Sequence, residues 1–531
     1  MDKQKNSSLV PEIVHFFKSI TNNQGVINLA REIQIASESG HSAITGMLEY
    51  EHDLISQDGS HGYIVQTNGK SGFRRLYNDE IFIRNKFLSK HAIDVDLNRL
   101  QSILKNVVKF NVNTEEIDWQ WQAAISALFH SRFILSGGPG TGKTTAIIKM
   151  LLLYLQLHPD NSIALAAPTG KAANRMVESI RQNIEQSNIS DEFISRIPKN
   201  AVTIHRLLKY KPRSNRNFYN NNNHLPYNLI IIDEASMLDI SMMCTLLKAL
   251  KPNAQLILLG DKNQLPAVDI GNVFTDLCSL MKSQSGYNLL NEISNNRMII
   301  TSKISNFVEL KKNYRFADDS VIFTLCESII SKDYEKFTEC RKYPHFTWKN
   351  PKKKSEKNQF LNQWVESHQN GETSMLLAAT NSGENSVKEL NQLSREVFHE
   401  NFEINQGMPV LVTQNDYTLG VFNGDIGFIS KKKGQWHALF NIQGKQQYIL
   451  LDAIKNWQLA HAISIHKSQG SEYDHVLIAI ADNIEEDFLN SELLYTAVSR
   501  AKKTIQLWCS ENTIKTILKE SNQRITFLSD E

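Results

Sequence analysis

Ser136-Gly137-Gly138-Pro139-Gly140-Thr141-Gly142-Lys143-Thr144-Thr145 is the segment whose residue types and spacing most directly imply chemistry. It fits G-x-x-x-x-G-K-[ST] in full. Glycines let backbone N–H groups approach phosphate oxygens without a Cβ clash. The helix expected to follow adds the positive partial charge of its N-terminus. Lys143 is spaced to reach the β- and γ-phosphates of ATP, and Thr144 to offer a hydroxyl to Mg²⁺.

About ninety residues later, Leu229-Ile230-Ile231-Ile232 runs into Asp233-Glu234. An apolar strand there delivers two adjacent carboxylates at its end. Asp233 suits Mg²⁺ through coordinated water, and Glu234 suits the base that activates an attacking water. The stretch Leu259-Gly260-Asp261-Lys262-Asn263-Gln264-Leu265-Pro266 again follows an apolar run. Gln264 is neutral and can hold the attacking water or a γ-phosphate oxygen. Phosphoryl transfer also needs positive charge on the equatorial oxygens. Two arginines offer it: Arg315 in Asn313-Tyr314-Arg315-Phe316 and Arg500 in Tyr495-Thr496-Ala497-Val498-Ser499-Arg500-Ala501.

These residues need elements that hold them. Phe133–Leu135, Ile163–Ala166, Leu229–Ile232 and Leu256–Leu259 are short apolar runs alternating with helical segments. Such alternation predicts a parallel sheet covered by helices, with ligands at the carboxyl ends of its strands. A second alternating region holds Met375–Ala379, Val410–Thr413, His475–Ala479 and Thr504–Cys509. Residues 147–157 (IIKMLLLYLQL) directly follow the phosphate loop and predict a buried core helix rather than a membrane span.

The remaining chain is less specific. Residues 1–115 predict a small mixed domain, with helices at 11–20 and 26–37 and strands at Tyr63–Gln66 and Ile81–Arg84. Residues 211–228 are polar and Asn-rich, fitting either a surface loop or an inserted hairpin that touches DNA. Residues 350–358 (NPKKKSEKN) predict a solvated linker or loop. Residues 407–450 are strand-like and Gly-punctuated, with Phe422-Asn423-Gly424-Asp425 as a turn signal, and predict a β insertion.

Bulk properties set bounds. A chain of 531 residues allows three or four domains. The formal charge of +2 excludes a polycation, so any nucleic-acid contact must be local. Five scattered cysteines without a Cys-x-x-Cys pair argue against a cysteine-based metal site and for reduced thiols in a cytoplasmic protein. The N-terminus lacks the apolar core of a signal peptide.

The ordered set of motifs resembles superfamily 1 helicases and, among them, the RecD family, the α subunits of bacterial exodeoxyribonuclease V. The resemblance runs from Trp119-Gln120 to Lys503. It includes Ala167-Pro168-Thr169-Gly170-Lys171-Ala172-Ala173, Thr203-Ile204-His205-Arg206-Leu207-Leu208, Gly424-Asp425 and Ala462-Ile463-Ser464-Ile465-His466-Lys467-Ser468-Gln469-Gly470-Ser471-Glu472.

This resemblance implies an α/β protein with two RecA-like P-loop NTPase motor domains, at 116–280 and 281–531. A pin-like insertion is expected near 209–228 and an SH3-like one near 407–460, with residues 1–115 as a small mixed domain that binds a partner. ATP and Mg²⁺ are the implied cofactors. The phosphate-loop residues Gly137 to Thr145, with Gln120, Gly470 and Glu472, are implied to hold the nucleotide, and Thr144 and Asp233 the metal. Pro168, Thr169, Lys171, His205, His466, Lys467, Ser468 and Gln469 are implied to contact DNA. The implied activity is ATP-dependent 5′→3′ translocation and unwinding on single-stranded and tailed duplex DNA. RecB-like and RecC-like subunits are the implied partners, with the nuclease site on the RecB-like one. Two other readings remain open from sequence: an RNA helicase of the same superfamily, and a partner-dependent ATP-binding regulatory subunit.

Overall fold

The computed structural model describes residues 8–48, 51–89, 93–107, 117–185, 191–211, 214, 216–281, 293, 304–314, 320–366, 373–397, 404, 406–416, 418–442, 445–484, 489–520 and 524–528. The N-terminal part opens with the helices Val10–Ile20 and Gln24–Glu38, the second capped by Asn23, whose side chain accepts from the Val26 amide. A small sheet follows, in the order Ala43–Thr45, Lys70–Phe73, Ile64–Thr67, Ile55–Ser56. Its tight hairpin turns at Asn68 and Gly69, both at positive φ, as an Asn-Gly turn signal requires.

Ile81–Arg84, expected as a strand, lies instead within the helix Arg74–Leu88. Its buried residues are Glu80, Ile83 and Phe87. They recur at helical spacing, and that face packs on the helix Ile240–Ala249, so the short apolar run belongs to a helix stripe.

The first α/β unit is a six-stranded parallel sheet. Its order is Phe307–Leu310, Arg132–Gly137, Gln255–Gly260, Leu229–Ile232, Ile163–Ala167, Val202–Thr203. Successive side chains along a strand point to opposite faces. Accordingly Phe133, Leu135, Ile231, Ile257 and Leu259 join one core with Lys143–Leu157, the helix expected from residues 147–157. Ile134, Ile230, Ile232, Leu256 and Leu258 join a second core with the helices Ile240–Ala249 and Val273–Leu280. The strand Phe307–Leu310 carries this unit past the boundary expected at 280. No local signal marks it, because membership is set by pairing with a strand about 170 residues earlier.

The second α/β unit is a five-stranded parallel sheet in the order Phe346–Lys349, Ala501–Trp508, Tyr473–Ala479, Ser374–Ala378, Ala462–Ser464. The same alternation puts Met375, Leu377, Val476 and Ile478 in one core and Leu376, Ala378, Leu477 and Ala479 in the other. Both units thus have the RecA-like arrangement of a parallel sheet between helical layers. The expected linker at 350–358 is partly helical, since the helix Lys354–Glu366 begins inside it. Lys357 is buried there and pairs with Glu389 at 3.0 Å, so this lysine run is not wholly a solvated one.

Between strands of the second unit lies an antiparallel sheet in the order Lys445–Leu450, Gln435–Ile442, Ile426–Lys432, Pro409–Val412, Trp457–Leu459. It has its own core around Val410, Val412, Ile429 and Phe440. Near residue 210, Tyr210–Lys211 pairs with Arg216–Asn217 in a short antiparallel hairpin. Residues 524–528 thread back from the second unit between the N-terminal part and the first unit. Arg524 donates to the Asp269 and Gly271 carbonyls, and the Thr526 hydroxyl donates to Asp276.

Candidate active site

The phosphate loop leaves the strand Arg132–Gly137 and enters the helix Lys143–Leu157. Gly142 sits at φ 83°, a left-handed conformation that favours glycine, and a Cβ there would strike the Gln120 side-chain amide. Gln120 is therefore laid directly on the loop. It is held from below by Lys149, whose ammonium is 3.1 Å from Gln120 Oε1 and 3.1 Å from Asp118 Oδ2. The Lys143 ammonium donates to the carbonyls of Gly137 at 2.5 Å and Gly138 at 3.2 Å. Tyr314 N–H donates to Gly140 O at 2.8 Å and Asn313 to Pro139 O at 2.9 Å, so the segment after the last strand of the unit braces the loop. Arg315, the next residue, lies outside the described residues.

Asp233 and Glu234 stand at the end of Leu229–Ile232, as the apolar run predicts. Asp233 is held above the usual carboxylate range, first by burial and next by Glu234, with Lys143 opposing. Glu234 takes φ 53°, a conformation costly for a residue with a Cβ, and its N–H donates to Asp233 Oδ1 at 2.9 Å. Such strain tends to collect at functional positions. Asp261 is fully enclosed after the strand Gln255–Gly260. Burial raises its pKa against Lys143 and three donors: Asn263 N–H, Tyr495 Oη and the Gln264 amide. Gln264 Oε1 is buried and accepts no hydrogen bond among the described residues, leaving an acceptor beside the phosphate loop.

The second unit supplies the facing wall. From the helix Ser491–Val498 the Tyr495 hydroxyl donates to Asp261 Oδ2 at 2.9 Å, and the Thr496 hydroxyl oxygen accepts from the Leu265 N–H at 2.9 Å. Gln469 donates to Leu265 O at 2.9 Å. Arg500 is buried and bonded to Thr496 O, Ser471 O and Ser499 Oγ. Burial lowers its pKa, against the field of Glu234. Together Gly138–Gly140, Gly142–Thr145, Asp233, Glu234 and Gln264 face Glu472, Arg500 and Lys502 across a cleft of about 600 Å³. The arrangement can grip a polyphosphate at one wall, activate a water beside it, and bring an arginine from the other.

The sequence compares with known families in the same places. The AAA domain family matches residues 120–269, and the UvrD-like helicase C-terminal domain matches 459–507. The chain is 27% identical to the RecBCD enzyme subunit RecD of Buchnera aphidicola subsp. Schizaphis graminum, over 97% of this chain and 93% of that one. It is 31% identical to the RecBCD enzyme subunit RecD of Mycobacterium tuberculosis, over 75% of this chain and 70% of that one. The chain belongs to the RecD family. A further relative is the ATP-dependent RecD2 DNA helicase of Deinococcus radiodurans, 27% identical over 70% of this chain and 46% of that one.

In this RecD-family chain, the residues expected at a DNA strand divide into two sets. His205, His466 and Lys467 are exposed. Thr169 instead caps the helix Gly170–Glu185, its hydroxyl accepting from the Ala172 amide. Lys171 donates to Gly424 O at 2.9 Å beside Asp425, and burial brings its pKa down to about 8. Ser468 turns inward to Ile465 O, and Gln469 joins the two units as described above. Gly470 takes φ 68° and lies against Ala172, near the cleft rather than lining it.

Sequence reasoning gave no role to Asp261, Tyr495, Thr496, Lys502 or Arg175. Tyr495, Thr496 and Asp261 stand inside quoted motifs, but their contact is made between units. Arg175 lies one helical turn beyond Lys171, but Lys171 does not line the cleft, so no local spacing marks Arg175 as facing it. The donor set suits Mg²⁺: oxygen donors only, with two adjacent carboxylates whose mutual repulsion a divalent cation would relieve.

Proposed function

We propose that this chain is an ATP-dependent single-stranded DNA translocase and DNA helicase that moves 5′→3′, acting as a motor subunit of a RecBCD-type complex in double-strand-break repair and recombination. The observation that carries the reading is the composite cleft, in which one RecA-like unit holds Lys143, Asp233, Glu234 and Gln264 and the other brings Arg500. Relatives named RecBCD enzyme subunit RecD and ATP-dependent RecD2 DNA helicase support it.

The residues divide the labour. The phosphate loop and Lys143 bind the polyphosphate, and Gln120 reads the base. Thr144 and Asp233 would hold Mg²⁺, which supplies charge neutralisation on the β- and γ-phosphates when bound. Glu234 takes the proton of the attacking water, and Gln264 orients that water. Arg500, with Arg315, stabilises the charge on the transferring phosphoryl group, so hydrolysis requires both walls. ATP drives motion because it prefers the closed arrangement. Opening a base-pair step costs roughly 1.4 kcal/mol, so one closure need supply only modest net work.

In this reading residues 1–115 bind a partner, the first motor domain begins near 116, and the second runs to 531. The hairpin near 209–228 acts as a strand-separating pin, and the antiparallel insertion near 407–460 is SH3-like. Pro168, Thr169, Lys171, His205, His466, Lys467, Ser468 and Gln469 form the strand groove. RecB-like and RecC-like subunits complete the assembly, with the nuclease on the former. Among the described residues no helix is long and apolar enough to cross a membrane. The five free cysteines support our assigning the chain to the cytoplasm. The test is ATP-dependent unwinding of a duplex with either a 5′ or a 3′ single-stranded tail. Unwinding from the 5′ tail alone is expected. Unwinding from the 3′ tail alone overturns the direction and keeps the helicase.

A further inference from the structure

Arg175 lies on the helix Gly170–Glu185 of the first unit and lines the nucleotide cleft. Its Nη2 forms an ion pair with Glu472 Oε1 of the second unit. Lys502 stands 3.8 Å from the other carboxylate oxygen, Glu472 Oε2. Burial depresses the Arg175 guanidinium, while Glu234 and Asp233 hold it charged. The guanidinium therefore sits amid the carboxylates of both walls.

Its position separates it from four other polar contacts between the units among the described residues. In Tyr495–Asp261, Thr496–Leu265, Gln469–Leu265 and Lys171–Gly424, no partner lines the cleft. Arg175 and Glu472 both do. An ion pair in this place spans the cleft, and Glu472 directly follows Ser471, whose carbonyl accepts from Arg500.

We propose that Arg175 is a positioning residue for the ATPase. By gripping Glu472 across the cleft, it holds the second unit's wall, and with it Arg500, in the closed arrangement. The proposal rests on reading this cleft as the ATP site. A ligand that binds by closure has lower affinity when closure is less favourable. Loss of the pair should thus weaken ATP binding, whereas saturating ATP still closes the cleft and turnover persists.

The test uses the full chain, with the dissociation constant of a fluorescent ATP analogue and DNA-stimulated hydrolysis read in parallel. Arg175→Ala and Glu472→Gln should each raise Kd and KM roughly five- to tenfold, with kcat within about twofold. The double variant should be no worse than the poorer single, because both remove one interaction. Arg175→Lys should recover part of the loss. A melting curve like the parent's keeps a folding defect apart from a positioning one. Unchanged Kd and KM in Arg175→Ala, a loss confined to kcat, or a double variant whose loss is the product of the singles overturns the proposal. Lys143→Gln runs beside these as a control. If that variant hydrolyses ATP normally, the reading of the cleft has failed rather than the role of Arg175.

Discussion

The Tyr495 hydroxyl donates to Asp261 Oδ2 at 2.9 Å, and the same carboxylate oxygen accepts from the Gln264 amide at 3.2 Å. One carboxylate of the first unit thus joins Gln264, which lines the cleft, to a helix of the second unit. Thr496, the next residue on that helix, holds the Leu265 amide.

Tyr495→Phe keeps the buried ring and removes only this bond. A hydrogen bond to a charged group contributes roughly 1.5–3 kcal/mol. If that stabilisation acts in the closed, reacting state, turnover should fall about ten- to hundredfold with nucleotide affinity little changed. Steady-state hydrolysis with an equilibrium binding titration checks this. A variant with parental kcat would show that the contact does not couple the units.

Lys143→Gln should abolish hydrolysis while leaving fold and DNA binding. The side chain bonds only to the Gly137 and Gly138 carbonyls of its own loop among the contacts described, so packing does not depend on its charge. DNA-stimulated turnover at the parental rate would remove Lys143 from the site.

Arg500→Lys should retain nucleotide binding and lose turnover. An arginine supplied to the transferring phosphoryl group is worth as much as ~10³–10⁵ in rate in other nucleotide hydrolases. Lysine keeps the charge but cannot reproduce the fork that reaches Thr496 O, Ser471 O and Ser499 Oγ. Single-turnover hydrolysis measures the effect. Equal rates would mean that the two-walled cleft is not the catalytic form.

Glu80 makes stability fall with rising pH. Burial pushes its carboxyl up from 4.5 to about 8, where it sits between the Ser42 hydroxyl and the Phe527 amide. Between those two values the folded chain keeps a proton that the unfolded chain has lost. Its contribution is therefore full below about 4.5 and is lost as pH rises through about 8. Glu80→Gln should be the more stable form at pH ~9, by a few kcal/mol at roughly 1.4 kcal/mol per pKa unit, and near parity at pH ~5. Its amide is a neutral analogue of the protonated acid and keeps an oxygen to accept from the Phe527 N–H. Unfolding curves of both forms at the two pH values decide it. A constant difference would mean that Glu80 is ionised in the fold.

The sequence by itself determined the strands that carry chemistry, because each is a local apolar run ending in a polar or glycine-rich turn. Arg132–Gly137, Leu229–Ile232 and Gln255–Gly260 deliver Lys143, Asp233 and Gln264 to one edge by rules that act within a few residues. Composition could not reveal what lies between distant segments. The strand Phe307–Leu310 carries no motif and is assigned by its neighbour in the sheet. Ile81–Arg84 reads as a strand alone and is a helix because its apolar face meets Ile240–Ala249. Tyr495 and Asp261 are 234 residues apart, and Arg175 and Glu472 are further apart still. A hydrogen bond or ion pair acts over a few ångströms, so only the tertiary structure, by folding two parallel sheets against one cleft, decided which of these residues would meet.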